Sequence, residues 1–378
     1  MGGVADSVPP FIAAHLTHLL SHFPLTLKVQ QMWSSDKYNS TLFDRFTLLI
    51  PYCLDFIKWD IIYNADSPST APDFIFGPED HDFHPFHMNS SIQPTQPNNS
   101  LKDWNYKDPS RLLQLVQYLR DQYVLYQRKR VEAVDDDRLK FEISTIISRE
   151  GIEMHLTSSV EKPEEVKFAV PLMDMNINKM VASCPWRYSQ KIYLQVVYPV
   201  GRKYLAAPSA PRLKLVSSPE LKALFSIDDI KLPPWLDGMC LAEYLPNLEE
   251  YLEKQVLEAV SLVDVRRHFI EALACQFGRP VEADPVFCRK ATFLSASGVF
   301  TFLVHLLIPT QFPKQQPALM LQSSQHFNTQ MAPMKSRLIS DYPWSPRWEI
   351  PLMAERICEF LADESLNFKR QCSEGQLQ

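Results

Sequence analysis

Ile57-Lys58-Trp59-Asp60-Ile61-Ile62-Tyr63, followed across a polar turn by Pro68, Pro72 and Asp73-Phe74-Ile75-Phe76, is the stretch on which the fold turns. Its apolar and polar side chains alternate with a period of two, as in a strand with one buried face. The prolines cannot donate to a ladder, so they mark a crossing between strands. The pattern returns 245 residues further on as Phe302-Leu303-Val304-His305-Leu306-Leu307-Ile308, then Pro313, Pro317 and Ala318-Leu319-Met320-Leu321. Setting Pro68 on Pro313 puts Trp59 on Val304, Ile61 on Leu306 and Tyr63 on Ile308, so the alternation stays in phase.

Outward from the first copy, Pro9 to His22 carries apolar residues at helical spacing behind Pro9-Pro10, which predicts an amphipathic helix. Strands are expected near 25–32, 44–52, 56–63 and 73–76, then a long Asn/Ser/Gln/Pro-rich loop over 88–108 and a helix over 110–129. The C-terminal third repeats that order. A helix over 265–277 ends at Gly278 and Pro280, strands follow near 286–296, 299–308 and 318–322, and a last helix runs over 352–361. The middle reads the same way more diffusely: a helix over 137–148, strands at 151–157, 166–172, 191–200 and 213–217, and a helix over 241–259, with Pro208 and Pro211 as its crossing. Three domains are expected, at 1–132, 133–262 and 263–378.

A strand, a proline-braced crossing and a second strand resemble the sheet of a ubiquitin-conjugating (E2) domain. In an active E2 a nucleophilic cysteine follows that second strand. Here no cysteine lies between Cys53 and Cys184, or between Cys288 and Cys358. The expected fold class is α+β: tandem E2-variant (UEV) domains, each an antiparallel meander flanked by helices, with the E2 chemistry missing.

Composition narrows the function further. A net charge of −6 gives no field for a phosphate backbone, so nucleic acid is not an expected partner. Only nine glycines occur, and apart from Gly2-Gly3 neighbouring ones are at least 20 residues apart, which excludes a phosphate-cradling loop. Seven scattered cysteines without a CxxC pair argue against structural zinc and a disulfide framework, and fit reduced thiols in cytoplasm or nucleus. Residues 291–313 carry no Asp, Glu, Lys or Arg, long enough to suggest a membrane span. Ser295-Ala296-Ser297-Gly298 breaks the run, however, and the alternation on either side reads as a hairpin, so no membrane partner is expected.

Two positions resemble relics of E2 chemistry. Gly238-Met239-Cys240-Leu241 resembles the sequence around an E2 nucleophile, but no His-Pro-Asn turn precedes it to steady a developing oxyanion. His84-Pro85-Phe86 resembles that turn, with Phe where Asn belongs and no cysteine after it. His15, His18 and His22 share a helix face, and His81, His84 and His87 form a looser group. Neither has cysteines beside it, so surface histidines are expected rather than a metal site, and no cofactor is expected. The expected binding residues are Tyr342, Trp344, Arg347 and Trp348 in one aromatic loop, since Tyr, Trp and Arg dominate interface hot spots. The competing reading is that this loop packs its own domain's core.

Longer strings carry a more specific resemblance. Asp44-Arg45-Phe46, Ile50-Pro51-Tyr52, Lys58 to Ile62 and Pro72 to Gly77 resemble the N-terminal part of the BRE (brain and reproductive organ-expressed) family. Pro313-Lys314-Gln315-Gln316-Pro317, Tyr342 to Trp348 and Met353-Ala354-Glu355-Arg356 resemble its C-terminal part. The resemblance implies a non-catalytic scaffold in the BRISC deubiquitinase and the related nuclear BRCA-A complex. Its implied partners are a zinc JAMM/MPN-type deubiquitinase, an Abraxas-family scaffold and a von Willebrand A-like adaptor, with weak ubiquitin binding and a cytoplasmic and nuclear location as further expectations. The alternative is a divergent E2 using Cys240.

Overall fold

The computed structural model describes residues 8–34, 43–64, 66–86, 101, 104–159, 162–172, 177–181, 184, 191–200 and 210–374. These form two compact units. One comprises the chain up to Pro171 with Tyr193–Val216 and Trp235–Ala242; the other comprises Leu172–Ile192, Ser217–Pro234 and the chain from Glu243 onward.

The first unit opens with helix α1 (Pro10–His22) and the meander β1 (Lys28–Trp33), β2 (Arg45–Tyr52), β3 (Asp55–Ile62) and β4 (Asp73–Ile75), paired in that order. Helix α2 (Ser110–Glu132) lays Leu112, Leu115, Val116, Leu119 and Tyr123 against the inner face of the sheet, where Phe46, Leu48, Ile50, Trp59 and Ile61 are buried. A second meander follows α3 (Asp137–Ile146): β5 (Glu153–Ser159), β6 (Lys162–Pro171), β7 (Ile192–Pro199) and β8 (Arg212–Ser217). The Asp136 carboxylate caps α3 by accepting from the Leu139 amide at 3.1 Å. Pro208 of the expected middle crossing lies outside the described residues, as does most of the 88–108 loop.

The second unit contains the one-turn helix α4 (Ile177–Met180), most of α5 (Leu241–Phe277) and a five-stranded meander. Its strands are β9 (Glu282–Ala283), β10 (Lys290–Ser297), β11 (Phe300–Leu307), β12 (Ala318–Phe327) and β13 (Pro333–Lys335), with α6 (Ile350–Ser373) after them. Residues 291–308, the uncharged run, are thus two strands of a hairpin. Among the described residues no helix is long and apolar enough to cross a membrane.

The repeat read in the sequence is a repeat of strand register. Adding 245 to the pair Arg45↔Ile62 gives Lys290↔Leu307, and the same shift carries every other β2–β3 pair onto a β10–β11 pair. It also carries Asp60↔Ile75, Ile61↔Phe74 and Ile62↔Asp73 onto His305↔Met320, Leu306↔Leu319 and Leu307↔Ala318. Since a one-residue slip would turn every side chain to the wrong face, an unbroken offset over three strands means the two sheets are built alike, residue by residue. The closing helices follow at a shift of 238: Leu115, Val116, Leu119, Tyr123 and Gln127 correspond to Met353, Ala354, Ile357, Leu361 and Ser365, all buried.

The structure departs from expectation where local signals were silent or local side chains intervened. The helices expected at 241–259 and 265–277 are one, because no Gly or Pro lies between Pro246 and Gly278 to stop it; Gly278, at φ +82°, ends it. The strand expected from 286 begins at Lys290, since Asp284 folds residues 284–289 into a turn by accepting from the amides of Val286, Phe287 and Arg289. Strand β12 runs five residues past its expected end, and α6 runs to Ser373 rather than stopping at 361.

Candidate functional site

The proline crossing of the second unit shows how the aromatic loop is used. Its carbonyls fall outside the sheet ladders, and buried carbonyls need donors. Three side chains supply them. Arg266, wholly buried on α5, donates from Nη1 to the carbonyl of Thr310 (3.0 Å) and from Nε to that of Phe287 (2.8 Å). The Trp344 Nε1–H donates to Pro313 O (3.0 Å), and the Tyr342 hydroxyl to Pro317 O (2.5 Å). Burial lowers the Arg266 guanidinium to about 10 and pushes the Tyr342 phenol up. The Trp344 ring meets Phe312 at 5.7 Å and Trp348 at 6.5 Å, and Tyr342 meets Phe360 at 5.3 Å. Tyr342 is buried, Trp344 and Trp348 are partly buried against the same core, and Arg347 is exposed.

The first unit contains the counterpart. There the Trp104 Nε1–H donates to Pro68 O (3.4 Å), and Pro68 is the repeat equivalent of Pro313. An indole bonded to the first crossing proline is therefore part of the repeated scaffold. Trp104, Arg266 and Asp80 carry weight that the sequence reading did not assign them. For Trp104 the repeat gave no direct signal: the two tryptophans lie 36 and 31 residues from their prolines, so neither the shift of 245 nor that of 238 sets one on the other.

His84 and Cys240 lie on different elements. His84 is exposed, between buried Phe83 and Pro85, just past the one-turn 3-10 helix Pro78–Asp80. Beneath that turn Asp80 accepts from the Tyr123 hydroxyl (3.1 Å) and from Gln127 Nε2 (3.3 Å), with Arg130 at 3.9 Å. Burial pushes the Asp80 carboxyl up against the opposing pull of these donors. The cluster fixes the turn to α2.

Cys240 is half-buried, two residues past Gly238 (φ +81°) and one before α5. A thiolate at a helix N-terminus would draw on the first amides. The Leu241 amide already donates to the buried carboxylate of Glu142, at 2.9 Å. Tyr198, whose phenol is pushed up by burial and then by Glu142, also feels Cys240. Glu142 thus already occupies the amide that a thiolate at Cys240 would draw on.

Cys53 sits with Leu54 in the β2–β3 turn, both at positive φ (49° and 63°). Glu153 holds this turn by accepting from the Cys53 amide (2.6 Å), and itself pairs with Arg120. Tyr52 donates to Met154 O (2.5 Å) and the Cys53 thiol to Lys167 O (3.4 Å). Burial pushes that thiol up to about 12, so it is inert at neutral pH.

The histidines of α1 do not act as a trio. His15 is buried and bonded through Nδ1 to the Tyr63 hydroxyl (3.0 Å), whereas His18 and His22 stack ring on ring at 4.1 Å nearer the surface. His15 thus departs from the expectation of surface histidines, because Tyr63 and Trp104 close over it. His87 lies outside the described residues. Among those described, no group of three or more His, Cys, Asp or Glu is placed to hold a metal ion.

A family model described as brain and reproductive organ-expressed protein (BRE) matches residues 10–327. A protein of Danio rerio named BRISC and BRCA1-A complex member 2 is 33% identical over 321 residues, covering 83% of this chain and 80% of its own. A Branchiostoma floridae protein of the same name is 27% identical over 336 residues, covering 86% and 84%.

Proposed function

The chain belongs to the BRE family, and on that footing we propose that it is a non-catalytic scaffold subunit of a BRISC- or BRCA1-A-type deubiquitinase assembly. In this reading each meander with its helices is a ubiquitin E2-variant module, three in all, divided near residues 132 and 262. The observation that carries it is the meander repeated in register at an offset of 245, twice without a cysteine after its crossing. A scaffold that keeps sheet, crossing and closing helix while lacking the nucleophile retains only its surfaces for use. Those surfaces link a zinc JAMM/MPN-type protease and its Abraxas-family partner to a von Willebrand A-like adaptor, with weak ubiquitin contact and work in cytoplasm and nucleus. Arg347, exposed in the aromatic loop, belongs to such a surface together with the partly buried Trp344 and Trp348.

The second reading, a divergent E2 using Cys240, draws on the placement of that thiol at the start of α5; Glu142, which already holds the Leu241 amide, weighs against it. Affinity purification of the chain from its own cells, with mass spectrometry and a ubiquitin-chain cleavage assay, separates the two. The scaffold reading expects a zinc-dependent protease in the eluate whose activity is untouched by Cys240→Ala. A reducible ubiquitin adduct on this chain that disappears in Cys240→Ala would replace it with the E2 reading.

A further inference from the structure

Two sheets built in the same register provide an internal control: a difference between their edges is not required by the fold. In an antiparallel ladder, alternate residues aim their N–H and C=O to opposite sides. In β10 the Lys290 carbonyl accepts from the Asp284 amide (2.9 Å) and the Thr292 carbonyl from the Val281 amide (2.8 Å), both on the β9 side. The Arg289 carbonyl instead accepts from the Ile308 amide (2.8 Å), on the β11 side. The even-numbered residues of β10 therefore face away from β11, and Leu294 and Ala296 continue their row. Strand β9 stops short of them. It pairs only with Ala291 and Thr292, and continuing its register would set Pro280, which has no N–H, against Leu294. Among the described residues, nothing bonds the backbone of Leu294 or Ala296 on this side.

The first sheet closes the same edge. Leu49, the equivalent of Leu294, pairs with Lys28 of β1. Pro51, the equivalent of Ala296, has no N–H, and its carbonyl accepts from Nε and Nη2 of Arg120 (both 3.3 Å). At the shift of 238 the counterpart of Arg120 is Cys358, which supplies no such fork. Free edges are ordinarily blunted by proline, charge or a bulge. Residues 293–297 carry no proline and no charge, and they pair with β11 without a bulge. The nearby charges, exposed Arg279, Glu282 and Lys290, stand at the end that β9 covers. Along the open row Leu294 is 51% exposed, and Val281, bonded to Thr292, is 64% exposed.

We propose that the open edge of β10, residues 293–297, takes an added strand from another protein subunit, an extended segment with apolar side chains. This rests on the scaffold reading above and names how one partner is held. Two N–H and two C=O groups in one row, repeating at about 7 Å, match an extended backbone rather than any single side chain. Leu294 and Val281 favour apolar side chains on that segment. A strip this short buries far less than the ~800 Å² per partner of a stable pairwise complex, so two copies joined by this edge alone are disfavoured. An added strand suits one of several joints in a multi-subunit assembly.

The test uses the full chain. Ala296→Pro gives this edge the residue that its sister strand carries at position 51, where the missing N–H faces away from the sheet. It is expected to leave the thermal midpoint unchanged and to lower recovery of at least one identified co-purifying subunit more than tenfold. Amide exchange read by mass spectrometry needs no substitution. The Leu294 and Ala296 amides should exchange freely in the isolated chain and at least tenfold more slowly in the purified assembly. Exchange at both that is unchanged on assembly overturns this inference and leaves the scaffold reading standing, whether or not the variant folds. Full recovery with Ala296→Pro, with Leu294 as slow as in the wild-type assembly, overturns it as well, because that cover would be indifferent to the lost donor. A wild-type chain that purifies alone overturns both readings. A wild-type homodimer dissolved by Ala296→Pro overturns the choice of partner.

Discussion

At the scale of single residues, the same physics recurs in side chains that serve opposite ends. Whatever Trp344 presents outward, its indole N–H satisfies Pro313 O, and Trp104 does the same for Pro68 O. Trp344→Phe keeps most of the ring and removes the donor, so it should cost about 1–2 kcal/mol, whereas Trp344→Ala should cost about 3–5. Denaturant titration reads both, and a Phe variant as stable as wild type would remove the bond from the account. His155 makes a different case. Burial lowers it to about 4, with Arg130 and Lys167 acting in the same direction. Its pKa is lower folded than unfolded, so its contribution is complete above pH 6.5 and is lost as pH falls toward 4. Relative to His155→Gln, wild type should lose at most roughly 3 kcal/mol across that window, at 1.36 kcal/mol per pKa unit. Parallel stability curves for the two proteins would show that His155 titrates normally.

At the scale of elements, alternation and register were legible because a sheet with one wet face writes its period of two directly into the chain. The β2, β3, β10 and β11 strands, the crossings and the shift of 245 all followed from Trp59, Ile61, Val304 and Leu306. Helix lengths were less legible. Helix α6 keeps apolar positions at 353, 357, 361, 368 and 372, but Glu355, Glu359, Asp363, Glu364 and Lys369 dilute the signal between them. The aromatic loop was legible as residue types, but its bonds within the unit were not: Tyr342 and Trp344 answer to carbonyls that lie 25 and 31 residues away. Continuity of α5 through 260–264 is directly testable at exposed Ser261. Ser261→Pro removes a helical donor and collides with the carbonyl of Leu257, a cost of ~3 kcal/mol or more in a continuous helix. Were 260–264 a loop between two helices, the substitution would be close to neutral, and far-UV circular dichroism with a melt distinguishes the cases.

At the scale of the whole molecule, one device is used in two compact units, and this makes their stabilities separable. A chain with more than one unit need not unfold in a single step. Trp104 lies in the first unit and Trp344 in the second, each bonded within its own unit and sharing no partner with the other. Sites without shared partners act additively. Trp104→Phe should therefore lower one unfolding transition and Trp344→Phe a different one, each by the equivalent of about 1–2 kcal/mol, with the double variant lowering both by the same amounts. Calorimetry reads the two transitions, and tryptophan fluorescence assigns them, since each variant removes a reporter from its own unit. If both substitutions moved a single transition by the same amount, the units would unfold as one, and the repeated indole bond would be holding a common structure rather than two copies of a module. Separate shifts would mean that the offset of 245 residues marks units that are energetically as well as geometrically distinct. In that case an outward face could change in one copy, as Lys58 differs from Leu303, without disturbing the fold of the other.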